Sequence, residues 1–220
     1  MCGRFTLTSN ETDLMDYLEV DKWDPDFTWQ HSYNITPSQE IPVLTYKNKR
    51  NIQGMYWGLV PNWSQENRVR NRMINASAET LTEKRVYRNL LLSKRCIVIA
   101  DGYYEWMQTS QGKQPYYIYD PKNTILPFAG LWDRWQNDKQ QYRITCTIIT
   151  TDMSKGLQHI HNRMPVILTK DRIDGWIDCN QTQDEALKLL KPYPHSLDYY
   201  PVSTFVNKPL NNSHKCIESI

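Results

Sequence analysis

Short apolar segments with the composition of β-strands recur along this chain, and they constrain its fold more than any other feature. The clearest is Cys96–Ala100, an unbroken run of residues typical of a buried strand. Similar segments, separated by polar turns, predict strands over 41–46, 52–59, 116–119, 125–132, 142–150 and 164–168. The recurrence of short strands predicts an α+β fold with a curved, mostly antiparallel, barrel-like sheet.

Helical periodicity is restricted to short stretches, so the helices are expected at the periphery of the sheet. The pattern predicts helices over 8–20, 78–92, 153–160, 172–179 and 184–191. Residues 23–40 and 61–76 are polar or rich in Pro and Trp and are predicted to be loops, and the C-terminal tail is predicted to be extended. No repeat or linker interrupts the pattern, and we expect residues 1–220 to form a single domain.

The composition is that of a soluble globular protein, with 40% hydrophobic and 23% charged residues. No apolar run approaches the length of a membrane span, and the N-terminus lacks the pattern of a signal peptide. The five cysteines are scattered and form no CxxC pair, which favours reduced thiols over a disulfide or zinc scaffold. We therefore expect a monomeric cytoplasmic protein without metal, cofactor or membrane contact.

Positive charge is concentrated in one segment, although the net charge is only +2. Residues 66–95 contain eight basic and three acidic side chains. Together with eight Trp and fourteen Tyr, this segment suggests a single-stranded nucleic acid surface, where bases stack on rings and cations follow phosphates. The alternative is a solvated loop and helix face, with most aromatic residues in the core.

Cys2 stands directly after the initiator methionine, a position with distinct chemistry. If Met1 is removed, which a small residue at position two generally permits, Cys2 carries an α-amine and a thiol together. The amine condenses with an aldehyde to an imine, and the thiolate closes on the imine carbon to form a five-membered thiazolidine. Reference pKa values of about 7.7–8.0 and about 8.5 leave both groups reactive near neutral pH. The alternative is that Cys2 is an ordinary terminal residue.

Three further polar residues lie at the ends of predicted elements, where a rigid sheet can position reactive groups: Asn75, Glu105 and His161. Each also has a structural interpretation, as a turn residue, a surface carboxylate and a structural histidine. His159 and His161 together could form part of a metal site. No matching pattern of Cys or carboxylate residues accompanies them, so no metal is predicted.

Six ordered motifs resemble those of the SOS-response-associated peptidase (SRAP) family, and the resemblance runs from residue 1 to about residue 205. The motifs are Met-Cys-Gly-Arg-Phe at the start, Tyr33–Pro37, Trp57–Trp63, Ile74–Thr80, Asp101–Trp106 and His161–Pro165. The resemblance implies the SRAP fold and covalent capture of abasic sites in single-stranded DNA. The ring-opened abasic sugar is an aldehyde, which is the electrophile that the aminothiol chemistry requires.

The resemblance also implies roles for individual residues. Cys2 would be the nucleophile, Glu105 the proton shuttle, His161 a second acid/base or hydrogen-bond donor, and Asn75 a neutral group that holds the sugar or the amine. The imine intermediate would permit a weak lyase activity. The protein would act in the cytoplasm and associate with the nucleoid when bound to DNA. Contacts to DNA are expected from Arg4, Trp63, Arg70, Arg72, Arg85, Trp106 and Arg163.

One departure from the family pattern concerns phosphate binding. The family commonly places an arginine two residues after the asparagine, and here that position is Ser77. One phosphate contact is then either lost or supplied by Arg70, Arg72 or Lys84. Two other functions stay open: a cysteine peptidase, with His161 as base and Met1–Cys2 as one possible substrate, and a non-covalent binder of single-stranded or modified DNA.

Overall fold

The computed structural model describes residues 2–64, 73–137 and 139–220. The strands are β1 (Phe5–Leu7), β2 (Lys22–Trp23), β3 (Ser32–Ile35), β4 (Glu40–Tyr46), β5 (Arg50–Trp57), β6 (Asn75–Ser77), β7 (Arg95–Ala100), β8 (Gly102–Thr109), β9 (Gly112–Tyr119), β10 (Leu126–Gln136), β11 (Tyr142–Asp152), β12 (Arg163–Pro165) and β13 (Asp198–Pro201). The α-helices are α1 (Glu11–Leu18), α2 (Arg85–Ser93), α3 (Ile173–Ile177) and α4 (Gln183–Lys188).

Five of the strands close into a barrel. Antiparallel pairing joins β11 to β10, β10 to β7, β7 to β4 and β4 to β5. A parallel pairing of β11 with β5, through Thr145–Tyr56 and Cys146–Trp57, then completes the ring. Closure leaves no exposed edge among these strands, and their apolar residues form most of the core.

The second sheet has five strands in the order β13, β9, β8, β1 and β3. Strand β1 lies between β8 and β3 and pairs antiparallel with both. Its Phe5 ring contacts Trp57 and Phe128 from the barrel at centroid distances of 5.1 and 6.0 Å. The N-terminal segment is therefore held by a hydrogen-bonded strand on each side and by aromatic packing against the barrel.

The short helices cover the outside of the sheets. Asn10 caps α1 by accepting a hydrogen bond from the Asp13 backbone N–H, and Thr182 and Glu185 form a capping box on α4. Helix α3 is fixed by Arg95, whose buried guanidinium donates to the carbonyls of Trp176 at 2.6 Å and Leu91 at 2.7 Å. The helices therefore form a layer on the outside of the barrel.

The predicted α+β class with a curved, barrel-like, mostly antiparallel sheet is confirmed. The helix predicted over 153–160 is wrong, since those residues form turns. The single helix predicted over 78–92 is a 3₁₀ turn at Ala78–Thr80 followed by α2. Strand β3 lies within the loop predicted over 23–40, and β1 lies where no element is predicted; each is too short to show an alternating pattern.

The Asp101-Gly102 pair fastens the N-terminal segment to strand β8. Asp101 accepts hydrogen bonds from the Thr8 hydroxyl at 2.8 Å, from the Ser9 backbone N–H at 3.2 Å, and from the Thr6 hydroxyl. Gly102 lies under Tyr117, and a Cβ there would approach the Tyr117 hydroxyl to 2.2 Å. The two residues thus allow β1 to lie close against β8.

We expect Asp101→Ala to lower the free energy of unfolding by about 2 kcal/mol, because several donors of the N-terminal segment lose a charged acceptor. Urea denaturation followed by tryptophan fluorescence measures this change. Asp26→Ala, at an exposed carboxylate, is the matched control and should stay within about 0.5 kcal/mol of wild type. Equal stability of the two variants would contradict the anchoring role of Asp101.

Candidate active site

The pairing of β1 with β8 brings Cys2 close to Glu105. Phe5 is opposite Tyr103, and the Tyr104 backbone N–H donates to the Arg4 carbonyl at 3.0 Å. Because the strands are antiparallel, the same register continued toward the N-terminus places Gly3 opposite Glu105, and Cys2 directly precedes Gly3. The Cys2 thiol is fully buried and donates to the Arg4 carbonyl at 3.8 Å.

Glu105 is a buried carboxyl that lies close enough to Cys2 for its charge to act on the thiol. It is 2% exposed, and burial raises its pKa to about 7. Burial, with a further contribution from the Glu105 charge, raises the pKa of the Cys2 thiol. At neutral pH the thiol therefore keeps its proton, whereas the carboxyl is close to half ionised and can both donate and accept one.

His161 approaches Glu105 from the other side, with 3.9 Å between Nε2 and the carboxyl Oε2. Its Nδ1 accepts a hydrogen bond from the Arg163 backbone N–H at 3.0 Å. An acceptor at Nδ1 places the proton of the neutral ring on Nε2, which points toward Glu105. Burial lowers the pKa of His161, so the neutral form dominates at pH 7.

Asn75 is fixed by the parallel pairing of β6 with β11. Its side-chain Nδ2 donates to the Cys2 carbonyl at 2.8 Å. The structure thus brings Cys2, Asn75, Glu105 and His161 together, although they come from four separate parts of the chain.

Two of these residues, Glu105 and His161, border a cleft of about 460 Å³ that is also lined by Arg4, Trp106, Lys113 and Asn207. Arg4 donates to Asn34 Oδ1 at 2.8 Å and to the Val206 carbonyl at 2.6 Å, which ties the C-terminal segment to the N-terminus. The Trp106 indole N–H donates to Asn207 Oδ1 at 2.8 Å. The cleft combines two cations with an aromatic wall and a titratable carboxyl.

Arg163 is already engaged with other protein groups. Its guanidinium forms ion pairs with Glu79 at 2.8 Å and Asp152 at 2.9 Å, and it donates to the Ser77 hydroxyl at 3.1 Å and the Thr150 carbonyl at 2.7 Å. The pairing lowers the pKa of Glu79 to about 2. Ser77, at the position where an arginine was expected, is therefore part of this charge cluster.

Two further residues predicted to bind DNA, Trp63 and Arg85, do not line the cleft. Trp63 is 72% exposed, and Arg85 is exposed at the start of α2. Arg70 and Arg72 lie outside the described residues. For all of these, contact with DNA stays a prediction.

Lys113 and Asn207 also line the cleft, and sequence reasoning missed both. Lys113 reaches it because β8 and β9 form a hairpin in which Gln108 pairs with Lys113, with Gly112 at φ 118° in the turn. The glycine and the polar residues before it signal a turn, but only the structure shows that the Lys113 side chain reaches the cleft. No local pattern in the tail indicates Asn207.

Two structural absences apply to the described part of the chain. In residues 2–64, 73–137 and 139–220, no group of three or more His, Cys, Asp or Glu side chains is placed to hold a metal ion. Over the same ranges, no helix has the length and apolarity needed to cross a membrane.

Comparison with known proteins relates the chain to one family over most of its length. The sequence model of the SOS response associated peptidase (SRAP) family matches residues 1–209. The chain is 40% identical over 223 residues to the abasic site processing protein YoaM of Bacillus subtilis, covering 100% of this chain and 98% of the relative. It is 34% identical to the abasic site processing protein HMCES of Xenopus tropicalis, covering 100% of this chain and 78% of the relative.

A solved structure supports the same relationship. The crystal structure of a protein from Bacteroides thetaiotaomicron superposes with a TM-score of 0.90, covers 100% of both chains and is 28% identical in sequence. The arrangement of barrel and second sheet is thus shared over the whole length.

The raised pKa of Glu105 predicts a pH-dependent stability difference between wild type and Glu105→Gln. Between pH 4.5 and about 7 the folded protein binds the proton more tightly than the unfolded chain, so wild type loses stability as the pH rises. The variant cannot ionise. We expect it to be more stable than wild type by about 3 kcal/mol above pH 7 and equal to it below pH 4.5. Urea denaturation at both pH values measures the difference, and a pH-independent difference would refute the raised pKa.

Proposed function

Because the chain belongs to the SOS response associated peptidase family, we propose that it processes abasic sites in DNA through a covalent adduct with Cys2. The observation that carries this proposal is that the fully buried Cys2 thiol, whose backbone is held by Asn75, lies within electrostatic reach of the buried Glu105 carboxyl, the pKa of which is about 7. The lesion is inferred from the relatives, which are named abasic site processing proteins. The aminothiol of Cys2 explains why the electrophile is an aldehyde.

The proposed reaction begins with removal of Met1, which exposes the Cys2 amine. The amine nitrogen attacks C1 of the ring-opened sugar, and the resulting carbinolamine loses water to give an iminium ion. The thiol sulfur then bonds to the same carbon and releases its proton, while the nitrogen keeps its bond. The balance is one aldehyde and one aminothiol giving one thiazolidine and one water.

Glu105 supplies the proton transfers in this scheme. In its neutral form it protonates the departing hydroxyl group, and in its ionised form it accepts the thiol proton during ring closure. A base is needed for ring closure because burial raises the pKa of the Cys2 thiol. A carboxyl near half ionisation at pH 7 can perform both steps.

His161 and Asn75 orient the reactants in the proposal. The Nε2–H of His161 faces the cleft side of Glu105 and is suited to donate to the hydroxyl of the opened sugar. Asn75 holds the Cys2 carbonyl at 2.8 Å and thereby fixes the direction of the Cys2 backbone. The iminium intermediate also has an acidic neighbouring C–H, so a weak β-elimination would compete with ring closure.

Single-stranded DNA is the proposed form of the substrate. Arg4 and Lys113 lie in the cleft where phosphates would flank the lesion, and Trp106 forms a wall on which a base can stack. Trp63 is exposed and can stack on a base farther away. Arg163 can contact a phosphate only by exchanging Glu79 or Asp152 for it. We propose action by a monomer in the cytoplasm, at the nucleoid.

A cysteine peptidase is the competing function, since the family description includes that word. Such a reaction uses a thiolate, which is favoured by a lowered thiol pKa. Burial shifts the pKa of Cys2 in the opposite direction, which favours attack on an iminium with assistance from a base. Non-covalent binding of DNA is the second alternative, and it would leave Cys2 without a role.

We expect wild type to form a denaturation-resistant adduct with a single-stranded oligonucleotide that contains one abasic site, and none with the intact strand. Cys2→Ala and Cys2→Ser should bind DNA without the denaturation-resistant adduct, because both lack the sulfur. Both keep the α-amine, so each should give only an imine that borohydride traps. Denaturing gels measure all three proteins, and the buried Cys96→Ser is the control that should retain the adduct.

Two results would reject covalent capture. Peptide cleavage without any lesion-dependent band would support the peptidase, and an adduct retained in Cys2→Ala would remove Cys2 from the mechanism. Intact mass spectrometry of the same protein shows whether Met1 is absent, which the chemistry requires.

We expect Glu105→Gln to slow adduct formation about a hundredfold, since amide groups do not transfer protons in this pH range. The wild-type rate should be greatest near pH 7, where both forms of the carboxyl are present, and the variant should lose this maximum. Quenched-flow sampling from pH 5 to 9 measures both. An unchanged rate and pH profile would exclude Glu105 as the proton shuttle.

A further inference from the structure

A line of aromatic rings extends from Glu105 along one face of the second sheet; the first, Tyr116, is half-buried, and the next two are exposed. Tyr116 is directly opposite Glu105 in the β8–β9 ladder, so the two side chains lie on the same face. Tyr199 is opposite Ile118, two residues along β9, and therefore lies on that face too. The rings of Tyr116 and Tyr199 are 5.9 Å apart between centroids.

The line continues to a histidine. The His159 ring lies 5.4 Å from the Tyr199 ring between centroids, and His159 is exposed. Tyr199 is a large aromatic residue on an edge strand, and its side chain is 40% exposed. We call Tyr116, Tyr199 and His159 the aromatic track. Its first ring neighbours the catalytic carboxyl, and its last ring is the residue two before His161.

The far end of the track opens into a second pocket of about 390 Å³, which is separate from the catalytic cleft. Tyr199 lines both the track and this pocket, and Leu157 and Pro194 provide apolar walls. Lys155 and His195 provide a cation and a polar ring at the same place. Its volume lies in the usual range for a small-ligand site.

We propose that the aromatic track and the second pocket bind an unpaired nucleotide of the same DNA strand, several residues away from the lesion. The inference rests on the proposed function and adds a subsite to it. Base stacking needs an exposed ring, and a phosphate needs a cation beside it; Tyr199 and His159 supply the rings, and Lys155 supplies the cation. The substrate strand is favoured over an unrelated ligand because the track begins at the cross-strand neighbour of Glu105, a residue that lines the cleft, and ends two residues before His161, which also lines it.

Abasic oligonucleotides of graded length test this proposal. One series extends the unpaired flank on the 5′ side of the lesion and another extends it on the 3′ side. For wild type, the DNA concentration that gives half-maximal crosslinking rate should fall about tenfold once the flank on one side reaches the pocket. Tyr199→Ala should lose this step and Tyr199→Trp should keep it, because a ring is sufficient for stacking.

The control variant is Tyr142→Ala, because Tyr142 is 56% exposed at the start of β11 and stacks with Arg134 away from the track. It should retain the full length dependence. In Tyr199→Ala the effect should fall on the half-saturating concentration and not on the maximal rate, since the ring touches no reacting atom. Lys155→Gln should reduce the slope of log affinity against log salt by about 0.7, the value for one phosphate of a single strand.

Failure of the subsite can be distinguished from failure of the proposed function. Binding of undamaged strands to Cys2→Ala, measured by fluorescence anisotropy, does not need the adduct. If wild type forms no adduct but Tyr199→Ala weakens this binding, the covalent function is rejected and the subsite stands. If wild type forms the adduct without any length dependence, or Tyr199→Ala keeps that dependence, the subsite is overturned.

Discussion

The pairing of β1 with β8 is the constraint on which the site depends. Chain termini are usually mobile, and a reactive group at the second residue would lose its geometry without a fixed strand. Here β1 is an inner strand of the second sheet, its Phe5 packs on barrel rings, and Asp101 binds the residues that follow it. The Cys2 backbone is then held by Asn75. The position of this terminal residue is therefore as well fixed as that of a residue within a sheet.

Burial determines the protonation chemistry of the candidate site. The same low-dielectric surroundings raise the pKa of Glu105 and that of the Cys2 thiol and lower that of His161. At neutral pH the thiol and the histidine ring are therefore uncharged, with protons on the sulfur and on Nε2, while the Glu105 carboxyl is close to half ionised.

Much of the fold could be predicted because the barrel strands are long enough to show their composition. The run from Cys96 to Ala100 and the segments that became β4, β5, β10 and β11 carry dense apolar residues, and the chain connects most of them by local turns. Barrel closure and the placement of the N-terminus depend on two short strand pairings, β11 with β5 and β1 with β8. Each pairing joins residues that lie far apart in the sequence. No local pattern encodes them, so barrel closure and the placement of the N-terminus had to come from the structure.

The candidate site likewise contains residues that the sequence could predict and residues that it could not. Motif residues such as Glu105 and His161 could be selected from the sequence, because they follow or precede strands. Lys113 and Asn207 could not, since their place in the cleft depends on hairpin register and on the docking of the tail by Arg4. Arg163 shows a different limit of prediction from sequence. Its charge suggested a phosphate contact, but in the structure the guanidinium is paired with two acidic residues from other parts of the sequence, Glu79 and Asp152.

The charge cluster around Arg163 has a consequence for the histidine two residues before it. The guanidinium joins β11 and the 3₁₀ turn at Ala78–Thr80, and the Arg163 backbone N–H sets the ring direction of His161. The imidazole is thus oriented when the protein folds. The conformational entropy of ordering that ring is lost at folding, and an incoming ligand meets a donor that is already aimed.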